Sequence, residues 1–189
     1  MRKALRRPVS RKAIFQAILL FLCAYLIFLI VWIKVKDHYG YFVTVIGSQL
    51  VAVVKQVQPE EIKAEKGIVR VSFSPQRMKD LLLDLTIKVN SFTFNVPLTL
   101  AIMAALFPFV RRKWSAYGQA LLILFGVHLL YVFSFGANSL TSTLVQRGLE
   151  TVSKPTLWTF QFLWEFTNNM VIRFEPFLIG FYVFIRFKE

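Results

Sequence analysis

Three ionisable side chains interrupt stretches that are otherwise apolar: His128, Arg173 and Glu175. A charge at membrane depth costs about 2.5–3.5 kcal/mol at the centre, so such a group faces a partner, water or a site. His128 reads as a proton relay or as a neutral ring hydrogen-bonded to a neighbouring helix. No cluster of carboxylates accompanies it in the sequence, which argues against a proton pump. Arg173 and Glu175 are two residues apart, point to different helix faces and therefore need separate partners. Pro176 removes one backbone hydrogen bond and can kink the helix. Arg173, Glu175 and Pro176 read as a polar notch that holds a partner at the outer leaflet, or as interfacial charges that snorkel.

Glu165, Asn168 and Asn169 follow i, i+3 and i+4 spacing, opposite Phe160, Leu163 and Phe166. They form one polar stripe, either wetting a surface helix or docking an extended peptide. Cys23 is the one cysteine, so no intrachain disulfide forms, and its neighbours Leu22, Ala24 and Tyr25 offer no base for a nucleophile. With two histidines and one cysteine, a structural zinc site is not expected. Neither G-x-S-x-G, Walker A, H-E-x-x-H nor a paired-cysteine motif occurs. The expectation is a non-enzymatic protein without cofactor or metal.

The elements that position these residues belong to a membrane protein. Of 189 residues, 56% are apolar, 16% aromatic and 17% charged, and the mean hydropathy is +0.56. Soluble domains have roughly 45–50% apolar and about 25% charged residues. The composition excludes a disordered chain, a collagen-like chain and a disulfide scaffold. The net charge of +13 is placed as in a membrane protein rather than a nucleic-acid binder. Arg2, Lys3, Arg6, Arg7, Arg11 and Lys12 open the chain, and Arg111, Arg112 and Lys113 form a second run.

The reading is a mostly α integral membrane protein with about four transmembrane helices and a small extracytoplasmic α/β segment between the first and second. A basic cytoplasmic tail spans residues 1–12. The first span is 13–33, apolar apart from Gln16, whose 21 residues reach about 30 Å. Residues 34–95 form the cap. Within it, residues 38–54 are expected as a helix on the outer membrane face and 56–67 as an exposed turn or helix start. Residues 67–73 and an alternating run from Leu85 through Ile87, Val89 and Phe92 to Phe94 are expected as antiparallel strands, with helical turns at 78–84. The second span is 96–110, with Asn95 as N-cap and Pro97 in the first turn. A cytoplasmic turn at 111–113 leads to a third span at 114–136. An outer amphipathic loop covers 137–168, and a fourth span covers 169–186. Both termini are then cytoplasmic. The predicted partners are membrane lipid and another multispanning protein. A small homo-oligomeric transporter or channel subunit is the alternative, with His128, Arg173 and Glu175 lining the path.

The run Phe94-Asn95-Val96-Pro97-Leu98, continuing to Ala101 and ending in Phe107-Pro108, resembles the Pro-Leu motif opening a span in exosortase H-associated membrane proteins of bacteria. The apolar third span with a polar outer end, Gly126 to Asn138, is similar. So are the Phe-rich segment Phe160 to Phe166 and the proline in Phe174-Glu175-Pro176-Phe177. The family's glycine-rich approach to Pro-Leu is replaced here by Thr93-Phe94-Asn95-Val96. The resemblance implies an accessory role in the bacterial inner membrane, beside an exosortase or its substrate. Glu165 and Glu175 would then accept the basic end of a substrate's transmembrane tail.

Overall fold

Nothing between Arg11 and Lys55 breaks a helix: the stretch holds no proline, and its charged residues sit on one turn-length of surface at a time. A computed structural model describes residues 11–75, 81–110 and 113–187. In it α1 runs unbroken over Arg11–Lys55. Its 45 residues reach about 67 Å, more than twice a hydrocarbon core. The expected surface helix at 38–54 is therefore the upper half of α1. Gly40, Val43, Thr44, Gly47, Ser48 and Val51 form a buried stripe there, whereas Phe15, Ile18, Leu22, Leu26 and Ile30 below are exposed.

Gln56, at φ 51°, turns the chain out of the helix. Three strands follow: β1 (Val57–Glu65), β2 (Ile68–Pro75) and β3 (Leu83–Lys88), paired antiparallel in the order β1-β2-β3. The antiparallel pairing of two strands was legible in the sequence, but β1 falls where an exposed turn was expected. Its charged residues face solvent and only Val57 is buried, so it carries almost no alternating signal. The bulge between Pro59 and Glu61 absorbs the proline. Gly67, at φ 77°, closes the two-residue connection to β2. β3 ends at Lys88 rather than continuing to Phe94, because Asn90–Thr93 coils into a short α2. The turns expected at 78–84 fall partly outside the described residues, and Leu83 and Asp84 belong to β3.

Helix α3 (Val96–Leu106) continues into a 3-10 turn at Phe107–Phe109. Most of the turn at 111–113 lies outside the described residues, as do residues 1–10 of the basic tail. Helix α4 (Lys113–Gln146) runs ten residues past the expected end at 136. It stops at Gly148, φ 67°, where Leu149 N–H returns to Leu144 O and Gly148 N–H to Val145 O. Ser153 caps α5 (Lys154–Phe166), so the segment expected as an outer loop at 137–168 is largely helical. No break occurs at Asn169. A π turn at Thr167–Val171 passes the chain straight into α6 (Ile172–Phe187).

Among the described residues, three helices are long and apolar enough to cross a membrane: Ile14–Lys55, Asn90–Phe109 and Trp114–Gln146. Contacts fix their directions. Tyr39, Gly47 and Val51 of α1 meet His128, Val132 and Gly136 of α4 in the same order, so α1 and α4 run the same way. Tyr182 of α6 bonds Gln119 of α4, while Glu175 meets His128, so α6 runs against α4. Two apolar clusters divide the molecule. One joins the sheet (Val71, Phe73, Ile87) to upper α1 and α4 (Val43, Val51, Leu140). The other joins α3, lower α4 and α6 through Met103, Leu124, Ile179 and Val183.

The α1–α4 seam depends on missing side chains. A Cβ on Gly47 would lie 2.5 Å from Val132 Cγ1, and one on Gly136 2.8 Å from Val51 Cγ2. Gly126 has open space at the same atom. Gly47→Ala is expected to lower the melting temperature in mild detergent, by about 1–3 kcal/mol of overpacking. Gly126→Ala should be neutral or stabilising by up to about 1 kcal/mol. Equal responses from the two variants would show that the seam is not close-packed.

Candidate functional site

The boundary between the two apolar clusters is polar. On α4, His128 lies between Leu124 of one cluster and Tyr131 of the other; on α6, Glu175 lies between Ile179 and Ile172. The helical period thus brings both groups inward at the same level. His128 Nε2 stands 3.3 Å from Glu175 Oε1, with both side chains fully buried. The two atoms are in contact without a straight hydrogen bond between them. On the other edge of the ring, Tyr39 of α1 places its hydroxyl 2.7 Å from Nδ1. When the phenol donates to Nδ1, the ring proton sits on Nε2 and faces the carboxylate. Three helices are thereby joined through one imidazole.

Aromatic rings enclose it. Phe92 meets the imidazole edge-on at 5.5 Å and Tyr39 at 5.6 Å, while Trp32 packs edge-on against Tyr39 at 5.2 Å. Glu175 Oε2 finds no hydrogen-bond partner among the described residues. Burying an ion costs several kcal/mol, so this pair is tolerated because each member is the other's counter-group. Chemically the arrangement can hold a proton between phenol, imidazole and carboxylate.

A second polar contact answers the proline of α6. Pro176 has no N–H, so the carbonyl of Ile172, four residues earlier, loses its helical partner. Asn95 Nδ2 donates to that carbonyl. Asn95 does occupy the N-cap position of α3, with Pro97 in the first turn, but its side chain does not cap the helix. It crosses to α6 instead. Thr99 bonds the Asn95 carbonyl through both N–H and hydroxyl. Leu98 is half-buried beside them.

The remaining sequence candidates disperse. Arg173 is exposed while Glu175 and Pro176 are buried, as two-residue spacing requires. Asn169 donates to Glu165 at 2.7 Å on the exposed surface of the helix, and Asn168 is half-buried. That stripe does not join the His128 site through any contact among the described residues, so Glu165 and Glu175 occupy different environments. Cys23 is exposed on α1. Sequence reasoning missed Tyr39, because its partner lies 89 residues away. It also missed Lys55, which bonds Glu150 at 3.2 Å and stands 5.4 Å over the Phe160 ring, fastening α1 to α5. No protein-family model matches this chain, and no curated protein or solved structure matches it.

His128→Ala would leave a carboxylate and a phenol buried together without a partner, at a cost of roughly 3–5 kcal/mol. Tyr39→Phe is expected to cost about 1 kcal/mol. Thermal unfolding of the single and double variants should be non-additive by more than about 0.5 kcal/mol; additivity would mean that the contact does not couple the helices. Asn95→Ala is expected to cost about 1–3 kcal/mol by orphaning the Ile172 carbonyl. In a Pro176→Ala background, where the helix supplies its own N–H, the same change should cost much less. An undiminished penalty there would refute the assignment of the bond.

Proposed function

We propose that this chain is a non-enzymatic, multispanning accessory protein of a bacterial exosortase-type protein-sorting or envelope-assembly system. It engages a transmembrane helix of the enzyme or of its substrate. The observation that carries this reading is a furrow of about 580 Å³ between α3 and α6, walled by Ile102, Leu106, Phe177, Leu178, Phe181 and Phe184. Gly180 forms its floor, where α6 approaches Ile102. Between membrane helices, association depends on close packing rather than on hydrophobic drive, and a furrow with a glycine floor admits a partner helix closely. Both proline motifs on which the family resemblance rests lie toward one end of the furrow, where Asn95 donates to the Ile172 carbonyl.

On this reading α6 is the fourth span, antiparallel to α4, in the bacterial inner membrane. Both termini and the Arg111–Lys113 turn are cytoplasmic, where their basic residues meet anionic lipid. The sheet and upper α1 stand outside. Lipid covers the exposed lower α1. The buried His128–Glu175 pair supports a second reading, a small homo-oligomeric transporter or channel subunit. Full enclosure of both side chains weighs toward the first.

Purification of the tagged protein from its native membrane in mild detergent, followed by mass spectrometry, tests the proposal. A multispanning sortase-like enzyme or its tailed substrates should accompany the wild type. A Phe177→Ala, Phe181→Ala variant changes exposed rings, so it should stay folded yet lose that partner. Recovery of the protein alone as a defined oligomer would favour the transporter reading instead.

A further inference from the structure

The sheet has two outer edges, and they are built differently. The β1 edge carries Pro59, a bulge, and the charged residues Glu60, Glu61, Lys63 and Glu65. Those devices prevent another strand from pairing there. The β3 edge has neither proline nor bulge. Val89 N–H bonds Gly67 O across the sheet at 3.0 Å, so Val89 faces β2. By the two-residue period of a strand, Ile87 and Leu85 also face β2. The main-chain N–H and C=O groups of Thr86 and Lys88 therefore project to the opposite side, where no strand pairs among the described residues.

A pocket of about 190 Å³ lies against that edge, lined by Thr86, Ile87, Lys88, Ser91, Tyr131, Phe135 and Trp164. Three successive strand residues line it, although their side chains alternate between the two faces. Thr86 and Lys88, whose main-chain groups project outward, both border it, so the pocket lies along the edge of the strand. Its far wall is aromatic: Trp164 meets Tyr131 and Phe135 with ring centroids 5.1 Å away in each case. Lys88 is exposed at its rim.

We infer that the free edge of β3 and the Tyr131–Phe135–Trp164 pocket beside it form a docking site for an extended, acidic peptide segment. The segment adds to the sheet as a fourth strand. Thr86 and Lys88 supply the main-chain hydrogen bonds, the pocket takes one aromatic or large apolar side chain, and Lys88 meets a neighbouring carboxylate. Strand addition derives affinity from the backbone and specificity from alternate side chains, which is the division of labour seen here. The inference stands apart from the proposed function.

The test uses the full chain in nanodiscs of zwitterionic lipid. The probe is a capped, fluorescently labelled heptapeptide, with valine and threonine flanking a central Glu-Phe-Glu, read by anisotropy. Saturable binding is expected, weakened about tenfold or more by Trp164→Ala and by Thr86→Pro. Proline at Thr86 removes an edge-facing N–H and leaves the β2 ladder intact. Should that variant fail to fold, a peptide N-methylated at alternate residues makes the same test on the wild-type protein and should bind at least about tenfold more weakly. Replacing both glutamates by lysine should also weaken binding. No binding, or equal binding of the N-methylated peptide, overturns the proposal. So does a pocket filled by anionic lipid, seen as loss of peptide binding in anionic nanodiscs at matched ionic strength. A wild-type dimer that Thr86→Pro dissociates would assign the edge to a second copy of the chain, and would also overturn it.

Discussion

A carboxylate and an imidazole enclosed together at the meeting of four helices constrain everything around them. Neither His128 nor Glu175 reaches solvent, so each is stable only while the other is in place. Their contact sets the level of α6 against α4, and the phenol of Tyr39 sets the level of α1 against both. A shift of α6 by one helical turn, about 5.4 Å, would leave both groups buried without a counter-group. Apolar packing by itself fixes the level of α6 less sharply, because it is not directional. The polar layer between them is directional and pins the register.

The same logic recurs one turn away. Pro176 frees a carbonyl inside the bundle, and a low-dielectric interior penalises any backbone group left unpaired. Asn95 answers it from the start of α3. Two residues that look like independent helix punctuation are thus one interhelical bond. The π turn at Thr167–Val171 lies just above and lets α5 and α6 continue as a single rod despite the proline. Helix α1 has the complementary task. Its lower half is apolar all round, and its upper half carries the sheet, with Gly40 and Gly47 letting Val89 and Val132 come close.

These features separate two kinds of surface. His128, Glu175 and Asn95 are consumed in holding the helices. On the proposed reading the surfaces for partners are the furrow between α3 and α6, lined by phenylalanine, which suits a helix, and the open edge of β3, which suits an extended segment. A protein that receives a membrane-anchored chain through both would contact its anchor and its exposed stem at once.

The sequence alone determined the class of the molecule. Runs of apolar residues long enough to span a bilayer, the aromatic content and the grouped basic residues need no tertiary information, because the bilayer acts on each segment separately. It also marked His128, Glu175, Pro176 and Asn95, since polar and proline residues in such runs demand a reason. Strands β2 and β3 were legible because their buried residues alternate; β1 was not, because almost none of it is buried. Helix ends were misjudged wherever polarity was taken for a break: α1 continues past Lys34, and α4 past Phe135, since a helix persists when its inward stripe stays apolar. What answered each marked residue was decided by the fold. Tyr39 and His128, or Asn95 and Ile172, lie 89 and 77 residues apart. Only the direction and level at which the helices pack bring them together, and no local pattern encodes that.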